Sequence, residues 1–193
     1  MSPQILDEKT GESLVAPKER RGVKTIMLAA ITLDGRIARG NSELINWTSK
    51  EDKEMFTRIT KEAGVMVMGS KTYDTFPRPL PGRLHIVMTR DVSGRENIPG
   101  QVEFTSKSPQ EILDDLVRRG YSLIAITGGA KINSLFLKEG LLDEVWLTME
   151  PTIFGEGVSV FTDPVQDVKL DLIGTEMLNP QSILLKYAVQ KKA

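Results

Sequence analysis

Short apolar runs without internal charges constrain the fold of this chain more than any other feature of its sequence. They are TIMLAAI, VMVM, HIVMT, LIAIT and VWLTM, which begin at Thr25, Val65, His85, Leu123 and Val145. Runs of this kind do not alternate between apolar and polar residues, which is typical of strands that are covered on both faces. They therefore predict a largely buried sheet with further elements packed on each side.

Helix signals stand between these runs. The stretch from Ser108 to Glu111 matches a capping box with proline at the first helical position, and Gly120 can close the helix that follows. Residues 49–63 predict a second helix, which Gly64 stops. Strand and helix thus alternate through the middle of the chain, which predicts an α/β fold with a mixed sheet and helices on both faces.

The two ends of the chain differ from its middle. The first 23 residues are polar, carry mixed charge and lack the apolar core of a signal peptide. We predict that residues 1–23 form a mobile arm, with room for a short strand around Ser13–Val15, and that residues 24–193 form a single domain. Near the C-terminus, VKLDLIG and ILLKYAV have no helix between them, which predicts an antiparallel hairpin.

Composition argues against several classes of function. The 25 basic and 26 acidic side chains leave a formal net charge of −1, without a basic run that includes aromatics, so a nucleic-acid partner is not expected. No segment predicts a membrane span. The absence of cysteine rules out thiolate chemistry and fits a cytoplasmic location. The single histidine, His85, lies within an apolar run, so we interpret it as a strand residue, and no metal site is predicted.

Two glycine-containing turns favour phosphate binding. Gly128 and Gly129 lie between a buried strand and a helix, where backbone can approach a ligand and free N–H groups attract an anion, although a tight turn there needs no ligand. Gly69 also ends a buried strand, and the SKT that follows begins a short helix. Two such turns at strand ends fit a dinucleotide better than a mononucleotide.

Cationic side chains near these turns indicate which dinucleotide would bind. Lys71 and the Thr72 hydroxyl can serve one phosphate, whereas Arg90 follows the next strand, where the 2′-phosphate of NADPH could lie. For Lys71, Arg90 and Lys131 the alternative is a solvated surface cation.

An aspartate lies on the apolar side of the helix over residues 49–63. Met55, Phe56, Ile59 and Ala63 follow the spacing of one buried stripe, and Asp52 belongs to that stripe. One explanation is local, because Ser49-x-x-Asp52 matches a capping box. The other is functional, since a carboxylate can pair with two parallel N–H donors of the kind that a pterin or an aminopyrimidine presents.

Together, these residues resemble dihydrofolate reductase. The similarity runs from about Lys24 to the C-terminus and rests on Trp47, Asp52 and Phe56, and on the motifs MGSKTYDTFPRPLPGR, TGGAKI and WLT. It implies a sheet of about eight strands, NADPH as hydride donor, and reduction of dihydrofolate to tetrahydrofolate. The rigid PRPLPG loop would present Arg83 to the α-carboxylate of the substrate's glutamate tail, whereas without the resemblance Arg83 would be a surface cation.

The resemblance also assigns roles to individual residues. Asp52 would hold the 2-amino and N3 edge of the pterin, and Trp47 would close the site beside the lid LDGRIARGNSELIN. The catalytic residues implied are Asp52 and Trp47. The substrate-binding residues implied are Leu28, Ala29, Ala30, Asp52, Phe56, Phe76, Leu80, Arg83 and Thr148. The cofactor-binding residues implied are Ala30, Gly69, Ser70, Lys71, Thr72, Thr89, Arg90, Thr127, Gly128, Gly129, Ala130, Lys131 and Ile132.

Some positions depart from the dihydrofolate reductase pattern. The lid is about two residues longer than the bacterial pattern, Ala130 replaces a glycine, and Asn133 replaces a tyrosine on the cofactor side. The segment KEGLLDEVWLTMEPTIFGEG looks more like the related reductase of riboflavin synthesis, which acts on a ribosylaminopyrimidine phosphate. Two alternatives therefore stand beside dihydrofolate reduction: that reductase, and a non-catalytic NADPH-binding protein. In either case we expect a monomer or a homodimer.

Overall fold

The computed structural model describes residues 22–40, 46–162 and 167–191. Most of the predicted N-terminal arm, including the strand expected around Ser13–Val15, lies outside the described residues. The same holds for residues 41–45, which belong to the predicted lid. No helix in the described ranges is long and apolar enough to cross a membrane.

Strands and helices alternate as the apolar runs predict. The helices are α1 (Lys50–Ala63), α2 (Ser70–Tyr73), α3 (Pro109–Arg118) and α4 (Ala130–Lys138). The strands are β1 (Lys24–Thr32), β2 (Arg36–Ala38), β3 (Val65–Gly69), β4 (Leu84–Met88), β5 (Val102–Thr105), β6 (Leu123–Ile126), β7 (Glu144–Glu150), β8 (Val158–Ser159), β9 (Leu170–Met177) and β10 (Ile183–Val189).

The main sheet has eight strands in the order β5-β4-β3-β6-β1-β7-β10-β9. The strands from β5 to β7 run parallel to one another, and β10 is antiparallel to both β7 and β9. This arrangement confirms the predicted mixed α/β sheet and the C-terminal antiparallel hairpin. A second, two-stranded sheet pairs β2 with β8 and so connects two loops at the edge of the main sheet.

Apolar side chains fill both faces of the main sheet. Met27 on β1 packs in a buried cluster with Leu113 of α3 and Phe136 of α4. The neighbouring residue Leu28 points to the other face and packs in a second cluster with Met55 of α1. Because successive residues of a strand face opposite sides, a run with no polar residue is what two covered faces require.

The predicted helix ends are confirmed. The capping box at the start of α3 is complete, since Ser108 accepts from the N–H of Glu111 and the Glu111 carboxylate accepts from the N–H of Ser108. At the end of α1, Gly64 adopts a left-handed conformation with φ of 68°, which glycine reaches without a Cβ clash.

His85 is a buried strand residue of β4, as its apolar neighbours predict. Its side chain is 0% exposed. The ring joins two loops: Nε2 accepts a hydrogen bond of 3.1 Å from the N–H of Leu80, and Nδ1 lies 3.0 Å from the carbonyl oxygen of Gln101. These contacts require a neutral ring with its proton on Nδ1. Burial lowers the pKa of His85, which favours the same neutral form.

We predict that His85 makes the stability of the fold depend on pH. Because its folded pKa lies below the unfolded value of about 6.5, its contribution is complete above that value and is lost as pH falls toward the folded pKa. His85→Gln should cost about 1–2 kcal/mol at pH 8, the scale of one or two buried hydrogen bonds, and less at pH 5. Urea unfolding of both proteins from pH 5 to pH 8 measures this difference. A difference that does not change with pH would contradict the assignment.

Candidate active site

The parallel strands of the main sheet end at a common edge, and the candidate site lies along it. After β3 the chain adds β4 and β5 on one side, and then returns to place β6 on the other side of β3. At this change of direction the N–H of Gly69 donates to the carbonyl oxygen of Gly128 over 2.8 Å. Such a switch point opens a crevice at the carboxyl ends of the strands, where α/β proteins bind ligands.

Glycine backbone lines this crevice. Gly128 has φ of +93°, and a Cβ on Gly129 would lie 3.1 Å from the Thr72 hydroxyl. A Cβ on Gly69 would lie 3.1 Å from the Ile132 side chain, so a larger residue at either turn would press on a neighbouring side chain. Gly129 is also the N-cap of α4 and makes no side-chain cap. The N–H groups that begin α4 are therefore available to a phosphate, and the cradle fits a dinucleotide.

The predicted cationic residues lie around this cradle. Lys71, Arg90 and Lys131 are exposed, and within the described part of the chain none of them forms an ion pair. Thr89 is less available, because its hydroxyl donates to the carbonyl oxygen of Asp91 over 2.9 Å. Thr127 likewise donates to Val67. Ser70 lies in α2, beside Lys71. Cofactor contacts by these side chains remain predictions.

Asp52 lies in the first turn of α1 and faces inward, as the helical periodicity predicts. It is 7% exposed, and burial raises the pKa of its carboxyl group. The hydroxyls of Thr148 and Thr48 oppose this shift, as does Lys53 more weakly, whereas the charge of Glu150 adds to it. Neither threonine hydroxyl has a hydrogen-bond partner of regular geometry among the described residues. Two buried hydroxyls thus lie close enough to the Asp52 carboxylate to act on its pKa, and the carboxylate oxygens can still accept from a ligand.

The Asp52 carboxylate does not cap its helix. The Ser49 hydroxyl accepts from the N–H of Asp52 over 3.2 Å, which is half of a capping box. The other half is supplied from β7, because the N–H of Ser49 donates to Oε1 of Glu150 over 2.8 Å. The capping explanation of Asp52 is therefore wrong. The N–H of Ser49, which the Asp52 carboxylate would accept from in a capping box, donates to Glu150 of β7 instead.

Aromatic and aliphatic side chains form the wall beside Asp52. Phe56, Phe76 and Leu80 are half-buried and pack against the same cluster as Leu28. Ala29 and Ala30 of β1 are half-buried, and Ala30 lies directly opposite Thr148 of β7. Their small side chains leave the sheet edge open next to the carboxylate.

Trp47 lies just before α1 and has a side-chain donor that no described residue uses. Its ring packs edge-on against Phe154 at a centroid distance of 5.0 Å. Its Nε1 is buried without a hydrogen-bond partner among the residues that the structure describes. Trp47 thus contacts Phe154, which the sequence did not single out, and its role in closing the site stays a prediction.

The described part of the lid is tied to the loop that follows β7. The Asp34 carboxylate accepts hydrogen bonds from Thr32 at 2.6 Å, from the N–H of Phe154 at 3.2 Å and from the N–H of Gly155 at 2.8 Å. The hydrogen bond from Thr32, with those from the two amides, lowers the pKa of Asp34. The guanidinium of Arg39 lies 4.0 Å above the Phe154 ring. The described part of the lid is thus held to the segment after β7 by contacts that do not involve a ligand.

Arg83 is buried, which corrects the alternative that it is a surface cation. It is 6% exposed, and its Nη1 donates to the Thr57 carbonyl oxygen over 3.3 Å and to the Thr60 hydroxyl. No carboxylate of the described residues lies within ion-pair distance, and burial lowers the pKa of Arg83. A buried cation without an acidic partner is expensive. An anionic group of the substrate would offset that cost, so the predicted carboxylate contact remains open.

Glu150 is the main feature of this site that the sequence analysis missed. It follows the apolar run VWLTM directly and is 3% exposed at the end of β7. From the sequence alone a charged residue at this position is easily assigned to the next loop. Because Pro151 follows it directly, Glu150 could instead have been predicted to be the last residue of the strand. Across the described ranges, no group of three or more acidic or histidine side chains could hold a metal ion.

Comparison with known proteins identifies the family. Residues 23–184 match the RibD C-terminal domain. The chain belongs to this family. YyaP, an uncharacterised protein of Bacillus subtilis, is 26% identical over 183 residues, which cover 88% of this chain and 95% of YyaP. The dihydrofolate reductase of Lactococcus lactis is 33% identical over 101 residues, which cover 52% of this chain and 58% of that enzyme.

Solved structures share the fold of this RibD C-terminal domain. A diaminohydroxyphosphoribosylaminopyrimidine deaminase/5-amino-6-(5-phosphoribosylamino)uracil reductase of Thermotoga maritima superposes with a TM-score of 0.71 at 20% identity, covering 87% of this chain and 57% of that protein. A pyrimidine reductase-like protein of Corynebacterium diphtheriae superposes with a TM-score of 0.71 at 17% identity, covering 88% and 93%. The resemblance to the dihydrofolate reductase superfamily is thereby confirmed. Reductases of this family use NADPH, so the chain is an NADPH-dependent oxidoreductase.

We predict that Arg90 gives this RibD C-terminal domain its preference for NADPH over NADH. A charge-assisted hydrogen bond contributes about 1.5–3 kcal/mol, so Arg90→Ala should weaken NADPH binding by roughly ten- to a hundredfold and leave NADH nearly unchanged. Titration of cofactor fluorescence measures both affinities. Arg118→Ala, which removes a cation on α3, is the matched control and should change neither. Equal losses for both cofactors in the Arg90 variant would refute the assignment.

Proposed function

We propose that this protein uses NADPH to reduce a substrate whose ring carries a 2-amino-4-oxopyrimidine edge. The first candidate is a ribosylaminopyrimidine phosphate of riboflavin synthesis that retains its 2-amino group. One observation carries the proposal: the Asp52 carboxylate is buried, does not cap its helix, and lies beside the hydroxyls of Thr48 and Thr148, which have no regular hydrogen-bond partner among the described residues. Such a group needs a ligand that supplies donors.

The edge of the ring decides which substrates suit Asp52. A 2-amino group and the neighbouring ring N–H form two parallel donors, which match the two oxygens of a carboxylate. A uracil presents one N–H between two carbonyl oxygens, and those oxygens would face the Asp52 carboxylate. The Thermotoga maritima relative is named for a uracil substrate. For this chain we therefore favour the form of the aminopyrimidine that has not been deaminated.

Arg83 suits the anionic end of the same substrate. Its guanidinium lies at the base of the rigid loop from Pro77 to Gly82 and has no acidic partner among the described residues. A phosphate on the ribose would supply the missing negative charge. Asp52 and Arg83 would then hold the two ends of one molecule.

The reaction needs one hydride and one proton. When bound, NADPH supplies a hydride to the carbon of a C=N bond, which in the ring-opened ribosylamine is the first carbon of the sugar. The nitrogen gains a proton, so the ribosyl chain becomes a ribityl chain. Asp52 orients the ring and favours its protonated form. During hydride transfer the apolar side chains of Phe56 and Leu80 exclude water from the reacting bond. The proton arrives through water that enters when the lid opens.

Dihydrofolate is the second candidate, and a specific observation favours it. Phe56, Phe76 and Leu80 are half-buried and pack against one apolar cluster, and such side chains suit an aminobenzoyl group better than a sugar. The pterin ring has the same 2-amino edge, and Arg83 would bind the glutamate carboxylate. Membership of the RibD C-terminal domain family moves our preference from dihydrofolate to the aminopyrimidine. A non-catalytic NADPH-binding protein remains the outcome if neither substrate is reduced.

We predict that the parent protein reduces the 2-amino pyrimidine phosphate faster than its deaminated uracil form, and that Asp52→Asn loses this activity. The amide keeps the shape of the side chain but replaces one acceptor by a donor. Turnover at neutral pH should fall by at least about a hundredfold, the scale of acid–base assistance, while the fold and NADPH binding are kept. Loss of NADPH absorbance with each pyrimidine and with dihydrofolate measures the rates.

Glu54→Gln is the control for this experiment, because Glu54 lies on the exposed side of α1 and pairs with Lys50. It should retain parental turnover. An Asp52→Asn protein within a few-fold of the parent would remove Asp52 from the reaction. Faster reduction of the uracil form by the parent protein would overturn the proposal that Asp52 binds the 2-amino edge of the substrate ring.

We predict that Arg83→Ala raises the KM of substrates with an anionic tail and spares those without one. For dihydrofolate, the comparison is a dihydropterin that lacks the glutamate tail; for the aminopyrimidine, it is the same nucleoside without its phosphate. The KM of the tailed form should rise by about ten- to a hundredfold, because a charge-assisted contact is lost. Arg83→Lys should also be costly, since an ammonium cannot make two parallel hydrogen bonds. An equal rise in KM for substrates with and without the tail would show that Arg83 supports the fold and does not bind the anionic tail.

A further inference from the structure

Glu150 is a second buried carboxylate beside Asp52, and the proposed reaction does not use it. Its Oε1 accepts from the N–H and the hydroxyl of Ser49 over 2.8 and 2.7 Å. Its Oε2 accepts from the Ser182 hydroxyl over 2.6 Å. Among the described residues three donors and no acceptor contact it, so both of its oxygens act as hydrogen-bond acceptors. No lysine or arginine of the described residues lies within ion-pair distance of it.

Ser49 connects this carboxylate to the first turn of α1. The hydroxyl of Ser49 donates to Glu150 and accepts from the N–H of Asp52, so one side chain serves both residues. A shift of Glu150 would therefore move the start of α1, and Asp52 with it. The arrangement fixes the distance between the end of β7 and the helix that carries the ligand-binding acid.

The charges around Asp52 are predominantly negative. On its own helix the nearest cation is Lys53, which is exposed to solvent and therefore screened. From β7 it faces Glu150 and the neutral Thr148, and from the preceding loop the neutral Thr48. A ligand bound here meets two acidic groups and one cation whose effect on the pKa of Asp52 is weaker than that of Glu150. Such a site favours a cationic ligand over a neutral one of the same shape.

We propose that Glu150 is a positioning residue that fixes Asp52 through Ser49 and makes the site select a ring that has taken up a proton. The proposal rests on the proposed function, because it assumes that Asp52 binds the ring. Its chemical reason is that a proton on the ring makes the reacting C=N bond a better hydride acceptor. In a dihydropterin that bond belongs to the ring, and in the ring-opened ribosylamine it is joined to the ring through its nitrogen, so the positive ring withdraws electrons from it. Glu150 stabilises that positive charge without touching the substrate.

The test uses a probe whose charge is simple to follow. A 2,4-diaminopyrimidine binds a proton on its ring and then presents two parallel N–H donors to a carboxylate. Calorimetry at pH 8 in two buffers of different ionisation enthalpy gives both its affinity and the number of protons taken up on binding. Glu150→Gln should weaken binding by about three- to tenfold and reduce the proton uptake, because the amide keeps the size of the side chain without its charge.

Ser182→Ala is the matched control, because it removes one hydrogen bond to Glu150 and leaves the charge. Its affinity and proton uptake should stay within about twofold of the parent. Glu150→Asp keeps the negative charge on a side chain that is one methylene shorter. Because the charge is kept, the proton uptake on binding should be retained even if α1 shifts. Parental values in Glu150→Gln, or equal losses in Glu150→Gln and Ser182→Ala, would overturn the proposal.

A measurement without any ligand separates this inference from the proposed function. The Asp52 carboxyl can be titrated by carbon NMR in the parent and in Glu150→Gln. Loss of the neighbouring charge should move its protonation to lower pH. If the probe fails to bind the parent, the proposed edge recognition by Asp52 is wrong, and the NMR titration alone decides whether Glu150 acts on Asp52. An unchanged titration would show that it does not.

Discussion

Two hydrogen bonds from Ser49 to Glu150 join the start of α1 to the end of β7, and the substrate half of the molecule depends on them. They satisfy the first turn of the helix from outside, which is the task that a side chain at position 52 would otherwise perform. Asp52 is thereby left buried, uncapped and beside two hydroxyls. Burying this carboxylate costs free energy. The packing of α1 against the apolar residues of the sheet offsets that cost.

The cofactor half is built differently, from backbone more than from side chains. Gly69 and Gly128 meet where the order of the strands reverses, and their lack of side chains leaves space that a Cβ would fill. Glycine turns of this kind tolerate changes in the surrounding side chains. Ala130 and Asn133 depart from the dihydrofolate reductase pattern, and both are buried in the first half of α4.

Much of the fold could be predicted because its signals are local. Apolar runs gave the central strands, caps gave the helix ends, and the spacing of Met55 and Ile59 placed Asp52 on the inner face. The two-stranded sheet and β5 escaped notice because two to four residues carry no period. Glu150 escaped because its partner Ser49 is 101 positions away. Arg83 would have been assigned to the surface without the resemblance. Its burial depends on contacts with α1, whose residues are more than twenty positions away in the sequence.

The contact between Gly157 and the lid strand β2 links parts of the chain that lie far apart in the sequence. A Cβ on Gly157 would stand 2.4 Å from the carbonyl oxygen of Ala38, so any side chain there would separate β2 from β8. Position 157 is not among the residues assigned to the substrate or the cofactor. The rate at which ligands enter and leave could therefore change through this one backbone contact, while the chemistry at Asp52 and the cofactor cradle stayed as they are.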